Sequence, residues 1–246
     1  MARLSPPHHQ RFSQAASLGL TYGGGEANVC ISLAYMGLEA CHVTRFPDHM
    51  VGRAATQYLR HHGVDTRHIQ YGAQKMGIYY LEQGAGHRAS EIVYDRAGSS
   101  FAQASPELFD WSAILQGADW FHWSGITPGI SQGAADSCLE AIQTANKLGI
   151  RVSGDVHSRK SLWRYGKTPQ EVLPALMAGS DYLLGGAFDF ATFVESIEPT
   201  DDFSTTGTKL SAHYHRMVGL IDKDRDISSE SHNRIQLGRA TWMEKK

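Results

Sequence analysis

The sequence has few cysteines, no long apolar run and no block of one charge. Three cysteines among 246 residues, Cys30, Cys41 and Cys138, are an odd number without metal-ligand spacing. They argue against a disulfide framework and read as free thiols of a reducing compartment. The opening "MARLSPPHHQRF" lacks the apolar core of a signal peptide, and no run reaches membrane-spanning length. There is no N-x-S/T acceptor. Cytoplasm is the expected location, with no membrane partner. Basic residues number 23 and acidic residues 25, for a net charge of −2, and no basic block stands out. A nucleic-acid partner is not expected.

What is present is ordinary globular material, 41% hydrophobic and 20% charged. Apolar residues recur at helical spacing over 27–36 and 51–62, ended by Gly37 and Gly63. A further helix is expected over about 131–148, and a weak one over 169–179 that Pro174 interrupts. Strand-like runs occupy 40–46, 119–126, 150–156 and 181–186. Strands alternating with helices imply crossover units and a mostly parallel, doubly wound sheet. Ligands of such sheets sit beyond the carboxyl ends of the strands. The runs 76–83 and 89–96, joined through "GAGH", break the alternation and read as a hairpin. Residues 201–246 are polar, with one apolar cluster at 217–221, and are expected to be partly irregular.

"TYGGGEANV" (21–29) is the most unusual stretch. A dinucleotide fingerprint fails because Asn28 stands where the third glycine belongs, and "SLGLTY" before it is a poor strand. The one G-K-T, at 166–168, fails as a phosphate loop because Ser161 replaces its first glycine. What survives is a glycine turn at a helix start, whose free N–H groups suit anions or hydroxyls. Asn28 in the first turn can donate and accept, which suits a polyol. Glycines that merely let the helix pack closely account for the same residues. His213 and His215 form an isolated pair without a third zinc ligand.

Several stretches resemble one family, in the right order along residues 3–186. "GGGEANVCISLAYMGLEACHVTRFPDHMVGRAATQYLRHHGVDT" is similar to the first signature of the PfkB, or ribokinase-like, carbohydrate kinases. "MGIYYLEQG", "IVYDRAGSSFA", "ADWFHWSGITPGIS" and "SGDVHSRKSLW" resemble its 2-keto-3-deoxygluconate kinase branch, as does "RLSPPHHQRF". The resemblance implies a Rossmann-like three-layer α/β/α sandwich with a mostly parallel sheet and a small β lid. It implies transfer of the ATP γ-phosphoryl group, with Mg²⁺, to a sugar-acid hydroxyl. Gly24, Gly25 and Asn28 would hold sugar hydroxyls. Tyr79, Tyr94 and Arg96 would reach the sugar acid from the lid. Arg159 would lie beside the substrate, and His157 and Arg159 beside the nucleotide. A homodimer through the 76–96 hairpin is also implied, with alternating Ile78, Tyr80 and Ile92 supplying the buried face; the alternative is that this face covers the site of its own domain.

Residue chemistry agrees with a sugar acid, since arginine offers a planar donor fork to a carboxylate. The departures lie on the phosphoryl-transfer side. The family's late D-T-x-G-A-G-D-like motif, with its catalytic aspartate, has no counterpart. Gly117-Ala118-Asp119, Gly154-Asp155 and "GGAFD" (185–189) have the wrong position or pattern. Where the family carries N-x-x-E, this chain has Gly186 and Asp189. "ISSESHNR" (227–234) resembles the region before adenine binding. The expectation is a kinase body of residues 1–200 trimmed at both ends, with its first strand before residue 1. An alternative is a non-catalytic relative that at most binds the sugar acid. Asp155 is expected to support the site from a strand end and Asp189 to cap a helix.

Overall fold

The computed structural model describes residues 1–157, 159, 161–202, 204–206 and 208–209. The expectations for 210–246, including His213, His215 and the cluster at 217–221, lie outside the described residues. The chain forms two compact units, Met1–Leu108 and a second from Phe109 onward. Among the described residues no helix is long and apolar enough to cross a membrane.

The first unit contains β1 (Ala2–Ser5), β2 (Gly19–Tyr22), α1 (Gly25–Tyr35), β3 (Thr44–Phe46), α2 (Met50–His61), β4 (Ile69–Tyr71), β5 (Ile78–Glu82) and β6 (Glu91–Asp95). Strands β3 and β4 pair in parallel, with α2 as the crossover between them. Helix α2 turns Ala55 and Leu59 onto a core that also holds Phe46, Val64, Ile69 and Met76. Helix α1 packs on the same core through Ala27, Cys30, Ile31 and Ala34.

The expected hairpin is there: β5 and β6 are antiparallel. It is half of a larger sheet of order β2-β1-β5-β6. Two expectations are corrected. The segment dismissed as a poor strand contains β2, and a strand, β1, lies within the opening residues. Each finds its ladder partner in a distant segment: β1 pairs antiparallel with β2 and parallel with β5. Pairing across the chain overrides weak local propensity. The tip of the sheet is tied down by Arg88, whose guanidinium reaches Glu82 at 2.5 Å and the His9 carbonyl at 2.8 Å.

The second unit contains α3 (Trp111–Leu115), β7 (Trp120–Ser124), α4 (Ile126–Ile130), α5 (Gln132–Lys147), β8 (Arg151–Asp155), α6 (Pro169–Ala178), β9 (Tyr182–Leu184) and α7 (Ala187–Phe190). Strands β7, β8 and β9 form a parallel sheet in sequence order, with crossovers through α5 and α6. Helix α5 starts on Ser131, whose Oγ accepts from the Ala134 N–H at 3.2 Å, and presents Ala134, Cys138, Ala141, Ile142 and Ala145 to the core. Pro174 does not interrupt α6. It removes only the bond to the carbonyl of exposed Gln170, while Leu173, Leu176 and Met177 bury one face. Thr168 and Glu171 cap that helix, with the Thr168 N–H on Glu171 at 2.8 Å. Trp123 stands directly opposite Gly154, and its indole N–H donates to Ser180 Oγ at 2.9 Å inside the core.

Candidate functional site

The register of the four-stranded sheet sorts its side chains onto two faces. Directly paired residues share a face, and the face alternates along each strand. One row is Thr21, Arg3, Tyr79 and Tyr94. Toward the core end, the next row on that face carries Gly23 beside Met1, and Arg96 beyond Tyr94. The pairing of Met1 with Gly23 rests on two backbone bonds of 2.9 and 3.0 Å. The opposite face carries Ala2, Leu4, Tyr22, Leu20, Ile78, Tyr80 and Val93, together with the acids Glu82, Glu91 and Asp95. Across the four strands the first face is polar in Thr21, Arg3, the two tyrosines and Arg96, with Leu81 and Ile92 beside them, and the opposite face mixes apolar residues with three acids.

The polar face is internally ordered. The Tyr79 and Tyr94 rings are tilted against one another at 6.0 Å. Arg96 lays its guanidinium over the Tyr94 ring, 4.4 Å from the centroid. Lys75 braces the base of β6 by reaching Asp95 at 2.5 Å and the Ala97 carbonyl at 3.2 Å. A Cβ placed on Gly77 would sit 3.5 Å from Arg96 Cβ, so the absence of a side chain at 77 keeps that side of Arg96 open.

The glycine turn meets this face. A Cβ on Gly23 would lie 3.2 Å from Tyr79 Oη and 3.9 Å from Asn28 Oδ1, so the phenol and the amide converge on one point. Gly24 is the N-cap of α1 and makes no side-chain cap bond. The first bond of the helix runs from the Asn28 N–H to the Gly24 carbonyl at 2.9 Å. The amides before it are donors without a capping side chain. Gly24 has φ 163°, an extended conformation open to any residue, and a Cβ there would meet only Ala27 at an ordinary 3.8 Å. Neither conformation nor packing demands glycine at 24. Gly25 and Asn28 are exposed in the first turn. Thus Gly24, Gly25, Asn28, Tyr79, Tyr94 and Arg96, named from the sequence, all belong to the first unit. The structure adds Arg3, Thr21 and Gly77 to their face. Arg3 alternates with apolar Ala2 and Leu4, a strand signal masked by the Pro-Pro that follows.

His157 and Arg159 belong to the second unit and are described there by themselves. His157 follows the carboxyl end of β8, where parallel sheets bind ligands. Its backbone N–H donates to Asp155 Oδ1 at 3.3 Å, and its Nδ1 lies 3.7 Å from Asp189 Oδ1. Ser124 and Asp155 are paired at the ends of β7 and β8. The Gly125 N–H donates to the Asp155 carbonyl at 2.7 Å, and a Cβ on Gly125 would lie 3.1 Å from the His157 carbonyl. Asp189 Oδ2 accepts from the Gly186 N–H at 3.0 Å and so caps α7. Arg159 is exposed. Among the described residues no three of His, Cys, Asp and Glu are grouped to hold a metal ion. Cys30 is no nucleophile, since burial pushes its thiol up to about 12.

The model of the pfkB family carbohydrate kinases matches residues 2–218. The chain belongs to that family. Its pfkB relatives include the 2-dehydro-3-deoxygalactonokinase of Haloferax volcanii, 35% identical over 232 residues, or 94% of this chain and 71% of that protein. The 2-dehydro-3-deoxygluconokinase of Thermoproteus tenax is 30% identical over 164 residues, 65% of this chain and 49% of that protein. Among solved pfkB-type structures, a 2-dehydro-3-deoxygluconokinase from Thermotoga maritima matches with a TM-score of 0.82 and 40% identity, covering 89% of this chain and 69% of that one. A putative ribokinase II from E. coli shares the fold at 15% identity and a TM-score of 0.76. The α/β, ribokinase-like class of this pfkB chain is thereby established.

Proposed function

We propose that this chain binds a 2-keto-3-deoxy sugar acid on the polar face of the lid sheet. The activity that this site serves would be ATP-dependent phosphorylation of such an acid. The observation that carries the reading is the convergence of Tyr79, Asn28 and the glycine turn beside an arginine held over Tyr94. Hydroxyls of the sugar meet the turn and Asn28. The carboxylate meets Arg96, whose planar fork donates two parallel bonds. The kinase names of the Haloferax, Thermoproteus and Thermotoga relatives support the substrate class. Calorimetry with 2-keto-3-deoxygluconate and with neutral D-fructose tests it. Arg96→Ala is expected to weaken the acid by about 1.5–3 kcal/mol and to spare fructose. Equal loss for both would mean that Arg96 supports the lid without reading the carboxylate.

ATP is the proposed phosphoryl donor, with His157 and Arg159 nearest to it. Where the family carries N-x-x-E, Asp189 accepts the Gly186 N–H with one oxygen and faces His157 with the other. A second reading, binding without turnover, is favoured by the state of the strand-end carboxylates. Asp155 turns Oδ1 onto the His157 N–H and Asp189 caps α7 through the Gly186 N–H, so both carboxylates serve local structure. A coupled ATP-consumption assay separates the two. Turnover near an ordinary ~10 s⁻¹ supports the kinase, and its absence supports the binding protein.

We place the protein in the cytoplasm, on its three free cysteines. A second copy of the chain is the proposed partner, docked on the apolar face of the lid sheet. The contact set differs from the sequence expectation. Ile92 pairs with Leu81 and lies on the same face as Tyr94, because the pleat alternates; Val93 stands beside Tyr80 instead. The row is Leu20, Leu4, Tyr80 and Val93; Leu20 and Val93 are 51% and 63% exposed, while Leu4 is half-buried and Tyr80 packs against Phe12. Light scattering that finds only monomer at high concentration would count against this dimer.

A further inference from the structure

Arg3 opens the family-like stretch RLSPPHHQRF, yet neither that resemblance nor its bond to Thr21 gives its guanidinium a role. Its strand pairing puts it directly between Thr21 and Tyr79, on the same face as Tyr94. It is half-buried. Its Nε donates to Thr21 Oγ1 at 2.8 Å, which fixes the direction of the guanidinium plane. Among the described residues that is its one hydrogen bond, and no carboxylate lies within ion-pair distance of it. The two terminal nitrogens, with four N–H donors, are left over.

The charges on the sheet are segregated by the same register. Glu82, Glu91 and Asp95 all lie on the opposite face, where Lys75 and Arg88 pair with Asp95 and Glu82. The polar face carries two guanidiniums, Arg3 and Arg96, and no acid from any of its four strands. A cation partly withdrawn from water gains most from a charged acceptor that replaces its lost hydration. A face with two such cations favours an anion over an equally shaped neutral ligand.

We propose that Arg3 is a specificity-determining residue: its terminal N–H groups bind the carboxylate end of the substrate together with Arg96, selecting acids over neutral sugars. This rests on the reading of the lid face as a sugar-acid site. Arg3 reaches in from the row that carries Tyr79 and Arg96 from the row beyond Tyr94. The two forks therefore approach a carboxylate lying over the Tyr79–Tyr94 pair from different sides. Thr21 acts as a positioning residue that holds the Arg3 fork at its Nε.

The test is titration calorimetry on the full chain with 2-keto-3-deoxygluconate and D-fructose. Arg3→Met keeps the length of the side chain and removes the charge. It is expected to weaken binding of the acid about 10- to 100-fold and to leave fructose within about twofold. Arg3→Lys keeps the charge without the fork, and should lose less than Arg3→Met. The acid affinity of the unaltered chain should also fall more steeply with salt than that of Arg3→Met. If Arg3→Met does not fold, Thr21→Val frees the fork, and a loss of about two- to tenfold toward the acid alone is expected. Unchanged acid affinity, or equal loss for both ligands, overturns the role of Arg3 and leaves the sugar-acid site standing. An unaltered chain that binds neither ligand overturns the site reading and, with it, the role of Arg3.

Discussion

Gly23→Ala is a small perturbation that interrogates the heart of the candidate site. A methyl group there would stand 3.2 Å from Tyr79 Oη and 3.9 Å from Asn28 Oδ1. The first distance is tighter than ordinary carbon–oxygen contact, so the phenol must retreat by a few tenths of an ångström. Tyr79 can do so by swinging its ring, which is packed only at a tilt against Tyr94. Gly23 is not among the glycines with left-handed φ, so alanine adds no backbone strain. It also reduces the entropy of the unfolded chain. The melting free energy should therefore move by less than about 1 kcal/mol in either direction. Ligand affinity should move more. If the Tyr79 hydroxyl bonds a sugar oxygen, displacing it removes about 0.5–1.5 kcal/mol, or about a two- to tenfold rise in Kd. Calorimetry with 2-keto-3-deoxygluconate on Gly23→Ala, Tyr79→Phe and the double variant makes a closed cycle. Each single change should weaken binding by a similar factor, and the double variant should be no worse than Tyr79→Phe. Additive losses would refute the reasoning, because alanine at 23 would then act directly on the ligand and not through Tyr79.

Three further outcomes follow from the packing and the titrating groups. Ser180→Ala deprives the buried Trp123 indole N–H of its acceptor and should lower stability by about 1–3 kcal/mol in a denaturant melt; an unchanged midpoint would mean that water or another group replaces Ser180. Gly154→Ala would drive a methyl to 2.4 Å from the Trp123 ring, and overpacking at that cross-strand pair should cost about 1–3 kcal/mol, more than Gly23→Ala does. His42 is pushed down to about 4 by burial, so the unfolded chain takes up protons that the folded one refuses. Its contribution is present above about pH 6.5 and is lost as pH falls toward 4. His42→Gln should shrink the drop in thermal midpoint between pH 7 and pH 5, and an identical drop would remove His42 as its cause.

Much of the candidate site was legible because its chemistry is local. A glycine run ahead of an apolar segment announces a helix start with free donors, and Gly24, Gly25 and Asn28 follow from it. Tyr79, Tyr94 and Arg96 followed from the family resemblance, and the alternation of the hairpin puts Tyr94 and Arg96 on one face. The crossover unit β7-α5-β8 was legible from periodicities, as were β3 and α2, with glycine stops at 37, 63 and 149; the three-residue strand β4 was not. All three stops have the positive φ that glycine admits most readily.

What only the tertiary structure decided is pairing. Nothing in "MARLS" or "SLGLTY" says that they are neighbours, since each is too short and too weak to be a strand until the other, and β5, supply its hydrogen bonds. That pairing turned a two-stranded lid into a four-stranded sheet and brought Arg3 and Thr21 beside Tyr79. The β5–β6 register sets Ile92 opposite Leu81 and Val93 opposite Tyr80, so Ile92 lies on the face of Tyr79 and not on that of Ile78 and Tyr80. Pro174 shows the same limit from the other side. A breaker in the sequence was outvoted by three buried side chains on one helix face, since local preference is worth a few kcal/mol and burial can exceed it.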